Sequence, residues 1–452
     1  MGKADSVIRK RKFNMEPTRI IAIAFAAIIL AGALLLTLPA ASQNGQSAGF
    51  LPSLFTATSA TCVTGLVIYD TGTQWSLFGQ IVIITLIEIG GLGFMSMASL
   101  VIFLLRRKVG LKQRMVMAQA LSVNDMNGVV RLQKYVLLGS LSIQLAGAAV
   151  LFFHFLPEMG AGKAAYYGIF HAISAFCNAG FDVFGYGNSI VNLNHDAVFE
   201  IVLMILISVS GLGFFVWEEV VRLHSWKKFS VYTKLVLLAS LALTVGGALA
   251  VLGLEWNNPQ TLGGMSVGNK ILNAFFQSVT VRTAGFAAVD QGLLTDSGKA
   301  VSMALMLIGG SSGSTAGGIK TVTVMVLMLF IWSRIRGKNT VCVFKRTIPD
   351  KQVMDAMTIA GIVLMLALLG SVIICATCPV SFVDSLYETV SALATVGLTA
   401  GATAKLTVLA QLVIIVYMYF GRVGVLTISL GFLMGDRAEE RYRYAQTNLL
   451  IG

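Results

Sequence analysis

Four segments of this chain end in glycine and align with one another without a gap: residues 54–65, 169–180, 274–285 and 386–397. Ten residues before the glycine stands an aromatic each time (Phe55, Phe170, Phe275, Tyr387), and one residue after it a large apolar side chain (Leu66, Phe181, Phe286, Leu398). Six before it, three segments carry serine (Ser59, Ser174, Ser391), while the third has Val279. A dozen helical residues reach about 18 Å, well short of the roughly 30 Å hydrocarbon layer of a bilayer. Such segments can enter a membrane from one side and return, but cannot cross it. Four copies in register predict four copies of one supersecondary unit.

The surrounding composition makes the membrane the right solvent to consider. Of 452 residues, 56% are hydrophobic and 12% charged, and the mean hydropathy is +0.80. Soluble domains carry about 25% charged residues, so a soluble enzyme and a disordered chain are both excluded. Long apolar stretches fall near residues 20–38, 77–105, 135–156, 197–217, 235–254, 300–332, 357–374 and 406–434, two flanking each glycine segment. The net charge of +12 is not a nucleic-acid signature, because 26 of the 33 Lys and Arg residues lie in five patches between these stretches: 3–19, 106–134, 222–234, 334–351 and 437–443. Positive-inside bias places all five, and both termini, in the cytoplasm.

The expected fold is therefore an all-α polytopic membrane protein with four tandem span–reentrant pore helix–span repeats around one central ion pathway. The expected layout is a cytoplasmic N-terminal segment (1–19), pore repeat 1 (20–105), a basic linker (106–134), repeat 2 (135–222), a linker (223–234), repeat 3 (235–333), a linker (334–352), repeat 4 (353–434) and a cytoplasmic tail (435–452).

A reentrant segment must expose unpaired carbonyls where lipid cannot satisfy them, so it survives only around a water-filled axis. Carbonyls turned to that axis can replace an ion's hydration shell, and the C-terminal end of each short helix favours a cation there. The plainer role for Gly65, Gly180, Gly285 and Gly397, close helix packing, does not account for their fourfold register. The second span of each unit carries a further glycine motif, at 90–93, 211–213, 309–313 and 421–424.

With these motifs the chain resembles, over essentially its whole length, the Trk/Ktr/HKT superfamily of potassium transporters. It is most like the membrane subunit of bacterial Ktr systems, since it lacks two extra N-terminal spans found in Trk proteins. The resemblance implies a selectivity filter at Thr64–Gly65, Ala179–Gly180, Ala284–Gly285 and Val396–Gly397, with potassium held by the backbone carbonyls of the four glycines. Gly65 stands where the plant branch has serine in sodium-preferring members. The family also implies a homodimer in the cell membrane with one pore per subunit. Its expected partner is a cytosolic RCK-type nucleotide-binding regulatory ring, with ATP or ADP bound on that partner only. Uptake of potassium is commonly stimulated by sodium. No cofactor is expected in this chain itself, nor any enzymatic activity.

Residues 309–320 (Gly309, Gly310, Ser311, Ser312, Gly313, Ser314, Thr315, Ala316, Gly317, Gly318, Ile319, Lys320) invite a phosphate-loop reading, but Ile319 intervenes between Gly318 and Lys320. The run also lies inside an apolar stretch rather than between a strand and a helix. Each glycine costs a helix about 1 kcal/mol relative to alanine, so a break is expected here, and the family resemblance makes it an intramembrane gate. Arg422 is an intramembrane cation that must face the interior with partners, as a structural brace or a charge on the ion path. Arg282 is paired tentatively with Glu388, Glu88 is expected to be neutral or paired, and Asp70, Asp182 and Asp290 follow three of the glycines as candidate mouth charges. Cys375 and Cys378 form an isolated CxxC, and the four histidines show no catalytic context. A secondary transporter with alternating access is the alternative function, although such proteins often use inverted repeats, whereas these four run in one direction.

Overall fold

The computed structural model describes residues 17–93, 96, 99, 110–120 and 128–424. The N-terminal basic patch up to residue 16, residues 106–109 and 121–127 of the basic linker, and everything after residue 424 lie outside the described residues.

Among the described residues, four helices are long and apolar enough to cross a membrane: Arg19–Thr37, Val129–Cys177, Val231–Glu255 and Asp350–Thr377. They open the four units. Each is followed by a short helix: Phe50–Thr61, then the segment 161–177 beyond a break at Gly160 (φ 72°) within Val129–Cys177, then Val267–Thr280 and Phe382–Leu393. A second apolar helix completes each unit: Leu77–Leu92, Ala197–Leu212, Asp296–Leu307 continued by Thr321–Ile335, and Val408–Val423. Leu34, Leu145, Phe153, Leu241 and Met365 each expose more than half of their surface, the outward apolar face a lipid-embedded chain requires. The protein is membrane-embedded and mostly helical.

All four second helices start alike. Ser76, Asp196, Thr295 and Thr407 sit at the N-cap and accept from the backbone N–H three residues on, an arrangement that stabilises a helix end by about 1 kcal/mol. They are also interrupted near their glycine motifs, as expected at 309–320 in unit three but not in unit two. The expected continuous span at 197–217 turns by 91° at Gly213 into the helix Phe214–Leu223. Gly93, Gly213 and Gly424 end their helices with nearly the same backbone (φ 84°, 92° and 94°), and Gly313 is also at positive φ (69°). Glycine alone enters that region without strain, so the last glycine of the motif marks the stop in units one, two and four, whereas in unit three the helix ends at Leu307, ahead of its motif.

The units close on one another in a ring. The short helix of unit one packs on Val408–Val423 of unit four, that of unit two on Leu77–Leu92, that of unit three on Ala197–Leu212 and that of unit four on Asp296–Leu307. One departure from an all-helical chain is a small antiparallel hairpin, Cys342–Val343 with Arg346–Thr347. Phe344 and Lys345 both have positive φ at its tip, the requirement of a two-residue turn that matches strand twist.

Candidate functional site

The glycines of the four segments meet at the centre of the ring. Gly65, Gly180, Gly285 and Gly397 all have positive φ (100°, 68°, 81° and 93°), and all four line one cavity of about 320 Å³ that Asp70, Asp182 and Asp290 also line. Their relation is cyclic. A Cβ on Gly65 would lie 2.6 Å from the Ala179 carbonyl oxygen, one on Gly180 2.8 Å from that of Ala284, and one on Gly285 2.5 Å from that of Val396. A Cβ on Gly397 would collide with the Thr64 carbonyl and lie 2.8 Å from the Gly65 Cα, closing the circle. Each glycine thus makes room for the carbonyl of Thr64, Ala179, Ala284 or Val396 in the next unit. Any side chain would displace backbone rather than a flexible group.

Two residues before each glycine lies another left-handed residue: Val63 (φ 55°), Asn178 (60°), Thr283 (73°) and Thr395 (51°). Three of these are β-branched, for which this region is a genuine outlier, at a cost of about 1–2 kcal/mol each. The sequence carries no sign of them. The strain is held by hydrogen bonds from the preceding helix. Thr64, Ala179, Ala284 and Val396 donate their N–H to the carbonyls of Ser59, Ser174, Thr280 and Ser391 (2.8, 2.8, 2.9 and 2.8 Å). The side chains of the same four residues brace the turn. Gly65 N–H donates to Ser59 Oγ and Gly397 N–H to Ser391 Oγ (both 3.0 Å), Phe181 N–H donates to Ser174 Oγ (3.0 Å), and Thr280 Oγ1 donates to the Phe286 carbonyl (2.7 Å).

This pattern corrects the alignment of the third unit. The structural counterparts of the serines and aromatics there are Thr280 and Phe276, each one residue later than Val279 and Phe275; Phe276 is fully buried, as are Phe55 and Tyr387. The turn of unit three is one residue tighter, and the adjacent Phe275–Phe276 pair concealed the slip. Tyr387, the one non-Phe aromatic in the set, donates its hydroxyl to Gln291 Oε1 (2.8 Å), which also accepts from Gln277 (2.6 Å).

Residues 309–320 lie in the irregular stretch between helices Asp296–Leu307 and Thr321–Ile335. The stretch is clasped at its base, where Gly309 N–H donates to the Ile319 carbonyl (2.9 Å) and Thr321 Oγ1 to the Gly309 carbonyl (2.6 Å). On one side it is tied to the break in unit two: Ser311 N–H donates to the Gly211 carbonyl (3.1 Å), and Phe214 N–H to the Gly313 carbonyl (2.9 Å). Tyr232 also donates to the Ser312 carbonyl (2.9 Å). On the other side it abuts the glycine turn of unit four, where a Cβ on Gly317 would overlap Thr395 and one on Gly318 would lie 3.1 Å from the Ala394 carbonyl. Ser314 Oγ donates to the Ser311 carbonyl and Lys320 Nζ to that of Ala316 (2.6 and 2.7 Å). Ser311 Oγ, Thr315 Oγ1 and Thr395 Oγ1 are buried without a partner among the described residues.

Arg422 joins the three breaks. It donates to the carbonyls of Thr315, Gly90 and Gly91, the last at 2.9 Å. The tentative Arg282–Glu388 pairing is not formed. Arg282 donates weakly to the carbonyl and hydroxyl of Ser240 (both 3.4 Å), whereas Glu388 accepts from Thr399 (2.7 Å) and Thr403. The two residues belong to short helices of different units, and nearby hydroxyls satisfy Glu388 first. Glu88 is paired with neutral donors, accepting from Gln144 (3.1 Å) and the Cys177 thiol (3.2 Å). Asp70, Asp182 and Asp290 each accept at least one backbone N–H nearby, from Thr73, Phe184 and Gly292, so each shapes its loop beside the cavity. Cys375 and Cys378 are free thiols.

Four units closed in a ring, with their glycine turns around one cavity, form a membrane-embedded helical protein of the kind that carries solutes across a bilayer. The chain belongs to the TrkH family of cation transport proteins, whose model matches residues 9–440. It is 39% identical to the potassium/sodium uptake protein NtpJ of Enterococcus hirae over 99% of this chain and 100% of that protein. It is also 39% identical to the Ktr system potassium uptake protein B of Bacillus subtilis, over 97% of each chain. The protein of the same description from Vibrio alginolyticus is 36% identical, over 97% of this chain and 95% of that one. Its fold matches the crystal structure of the potassium transporter TrkH from Vibrio parahaemolyticus with a TM-score of 0.72 at 17% identity, covering 94% of this chain and 86% of that one.

Proposed function

We propose that this chain takes up potassium across the cell membrane by channel-like permeation, through a filter formed by the carbonyls of the four glycine turns. The observation that carries the reading is the cyclic relation of Gly65, Gly180, Gly285 and Gly397 around one cavity. Four inward carbonyl turns at one level can replace a hydration shell. The short helices Phe50–Thr61, 161–177, Val267–Thr280 and Phe382–Leu393 direct their negative ends at the same centre, and Asp70, Asp182 and Asp290 raise the local cation concentration outside it. Residues 309–320 act as the gate. They abut the turn of unit four, and Arg422 holds them there. The unpartnered oxygens of Ser311, Thr315 and Thr395 suit a hydrated space between turn and loop. Two of the relatives named above are potassium uptake proteins of a Ktr system by their own descriptions. In keeping with the Ktr resemblance of the four glycine segments, this chain works as a homodimer, with both termini cytoplasmic, under an RCK-type ring that binds ATP or ADP, and sodium stimulates uptake. The order of the units favours this over alternating access, because all four face one axis in the same direction.

Rubidium flux into liposomes carrying the purified chain, with and without sodium, tests the reading. Flux that saturates with rubidium and rises with sodium is expected. Transport that needs a sodium gradient and ceases without one would instead support the coupled secondary transporter.

A further inference from the structure

The second helices share one more register position. Four residues after their N-caps stand Gln80, Glu200, Lys299 and Gln411. In two units this residue bridges to the short helix of the next unit: Gln80 Oε1 accepts from Tyr166, and Lys299 donates to Asp384 at 2.7 Å. In unit four Gln411 leaves one neutral oxygen unpartnered. Unit two differs in kind. Glu200 is fully buried, and neither of its carboxylate oxygens has a hydrogen-bond partner among the described residues.

The short helix of unit three, which packs on the helix bearing Glu200, offers it an acceptor rather than a donor. Asn273 is also fully buried, and its amide nitrogen donates to the carbonyls of Asn194 (2.7 Å) and Asn269 (3.0 Å). Those two bonds fix the orientation of the amide and leave Oδ1 without a partner. Depth along the two helices matches as well. Ile207 and Gly211 line a cavity together with Val279 and Arg282. Glu200 precedes Ile207 by seven residues and Asn273 precedes Val279 by six, about 10 and 9 Å along their helices, which sets the two side chains at a similar depth. Lys270, the cation on the short helix, is turned to the Trp256 carbonyl (2.9 Å) and ring. Asp196, one turn above Glu200, is engaged by His154 (2.6 Å).

We propose that Glu200 and Asn273 form a binding site for a small monovalent cation between units two and three, at the outer end of the ring and away from the central axis. Three buried acceptor oxygens with no donor, and one negative charge, are the complement of a single sodium-like ion. A proton on Glu200 would satisfy only one further oxygen. An ion shared by two units stabilises their junction, and with it the placement of the Gly285 turn at the end of the same short helix. This gives the sodium stimulation proposed above a location, and it rests on that reading only for its consequence in transport.

The test is thermal unfolding of the purified full-length chain in sodium, potassium and choline chloride, for the wild type, Glu200→Gln, Asn273→Ala and Gly65→Ser. Sodium is expected to raise the wild-type midpoint over choline by about 3 °C or more. The sodium response should vanish in Glu200→Gln, weaken about tenfold in half-effective concentration in Asn273→Ala, and persist in Gly65→Ser. Glutamine imitates a protonated glutamate, so an undiminished sodium response in Glu200→Gln would overturn the proposal in favour of protonation. Loss of the response in Gly65→Ser alone would assign sodium to the central turns instead, leaving the filter reading intact and this one refuted. If Glu200→Gln does not fold, Asn273→Ala decides: an unchanged half-effective concentration overturns the site.

Discussion

The outer and inner levels of the ring follow opposite rules. At the outer level the four units repeat one solution: a short helix, a left-handed residue, a glycine, and a hydroxyl from the helix bracing the turn. At the inner level three second helices stop at a single glycine, whereas the third opens into residues 308–320 before resuming at Thr321. Equal carbonyls are needed where an ion must be held from all sides, which favours fourfold likeness. One obstructing segment is enough to close a path, which favours a single exception. The two levels meet at Thr395 and Gly317, and Arg422 of unit four ties the exception in unit three to unit one.

The comparison breaks most visibly if the exceptional segment is removed. Deleting residues 311–317 is expected to raise rubidium flux per folded protein by about tenfold or more, the effect of shifting a closed–open equilibrium by about 1.4 kcal/mol. Flux should also lose most of its dependence on a regulatory ring, which acts only through different affinity for the two states. Lower flux with full regulation would show that these small residues serve packing alone. A smaller effect is expected from Arg422→Ala, which removes charged hydrogen bonds to three carbonyls. Such bonds contribute about 1.5–3 kcal/mol, but water can reach part of the vacated space, so flux should rise several-fold in liposomes while the chain still inserts. Failure to insert would make Arg422 purely structural. The smallest effect sharpens the outer level. Thr280→Val should lower the rubidium-over-sodium flux ratio about two- to fivefold by removing the brace to Phe286, whereas Val279→Ala should leave the ratio unchanged. The reverse ranking would restore Val279 as the counterpart of the serines.

Much of this architecture was legible because it depends on repetition. Glycine register, the following apolar residue and the alternation of basic and apolar sequence all record constraints that act four times over. What escaped the sequence acts once or through space. The 91° turn at Gly213 looked like continuous apolar helix, because hydropathy is blind to backbone direction. The left-handed Val63, Thr283 and Thr395 belong to residue types that argue against that conformation, and only the surrounding bonds hold them there. Thr280 was hidden by a one-residue slip beside two consecutive phenylalanines. Buried carbonyls are the partners expected of a structural Arg422, but that they are those of Thr315, Gly90 and Gly91 depends on packing between units, which no residue pattern announces.

The central claim is that ions pass through the ring of glycine carbonyls, and Gly65 offers the most direct access to it. A serine there would place its Cβ 2.6 Å from the Ala179 carbonyl oxygen, on backbone at φ 100°. The measurement is the potassium-to-sodium permeability ratio of the wild type and Gly65→Ser in liposomes, with folding checked by size-exclusion profile. A ratio lowered about tenfold in a folded variant, about 1.4 kcal/mol of lost discrimination, is the predicted result. An unchanged ratio in a folded, conducting variant would contradict the account and place selectivity elsewhere in the chain.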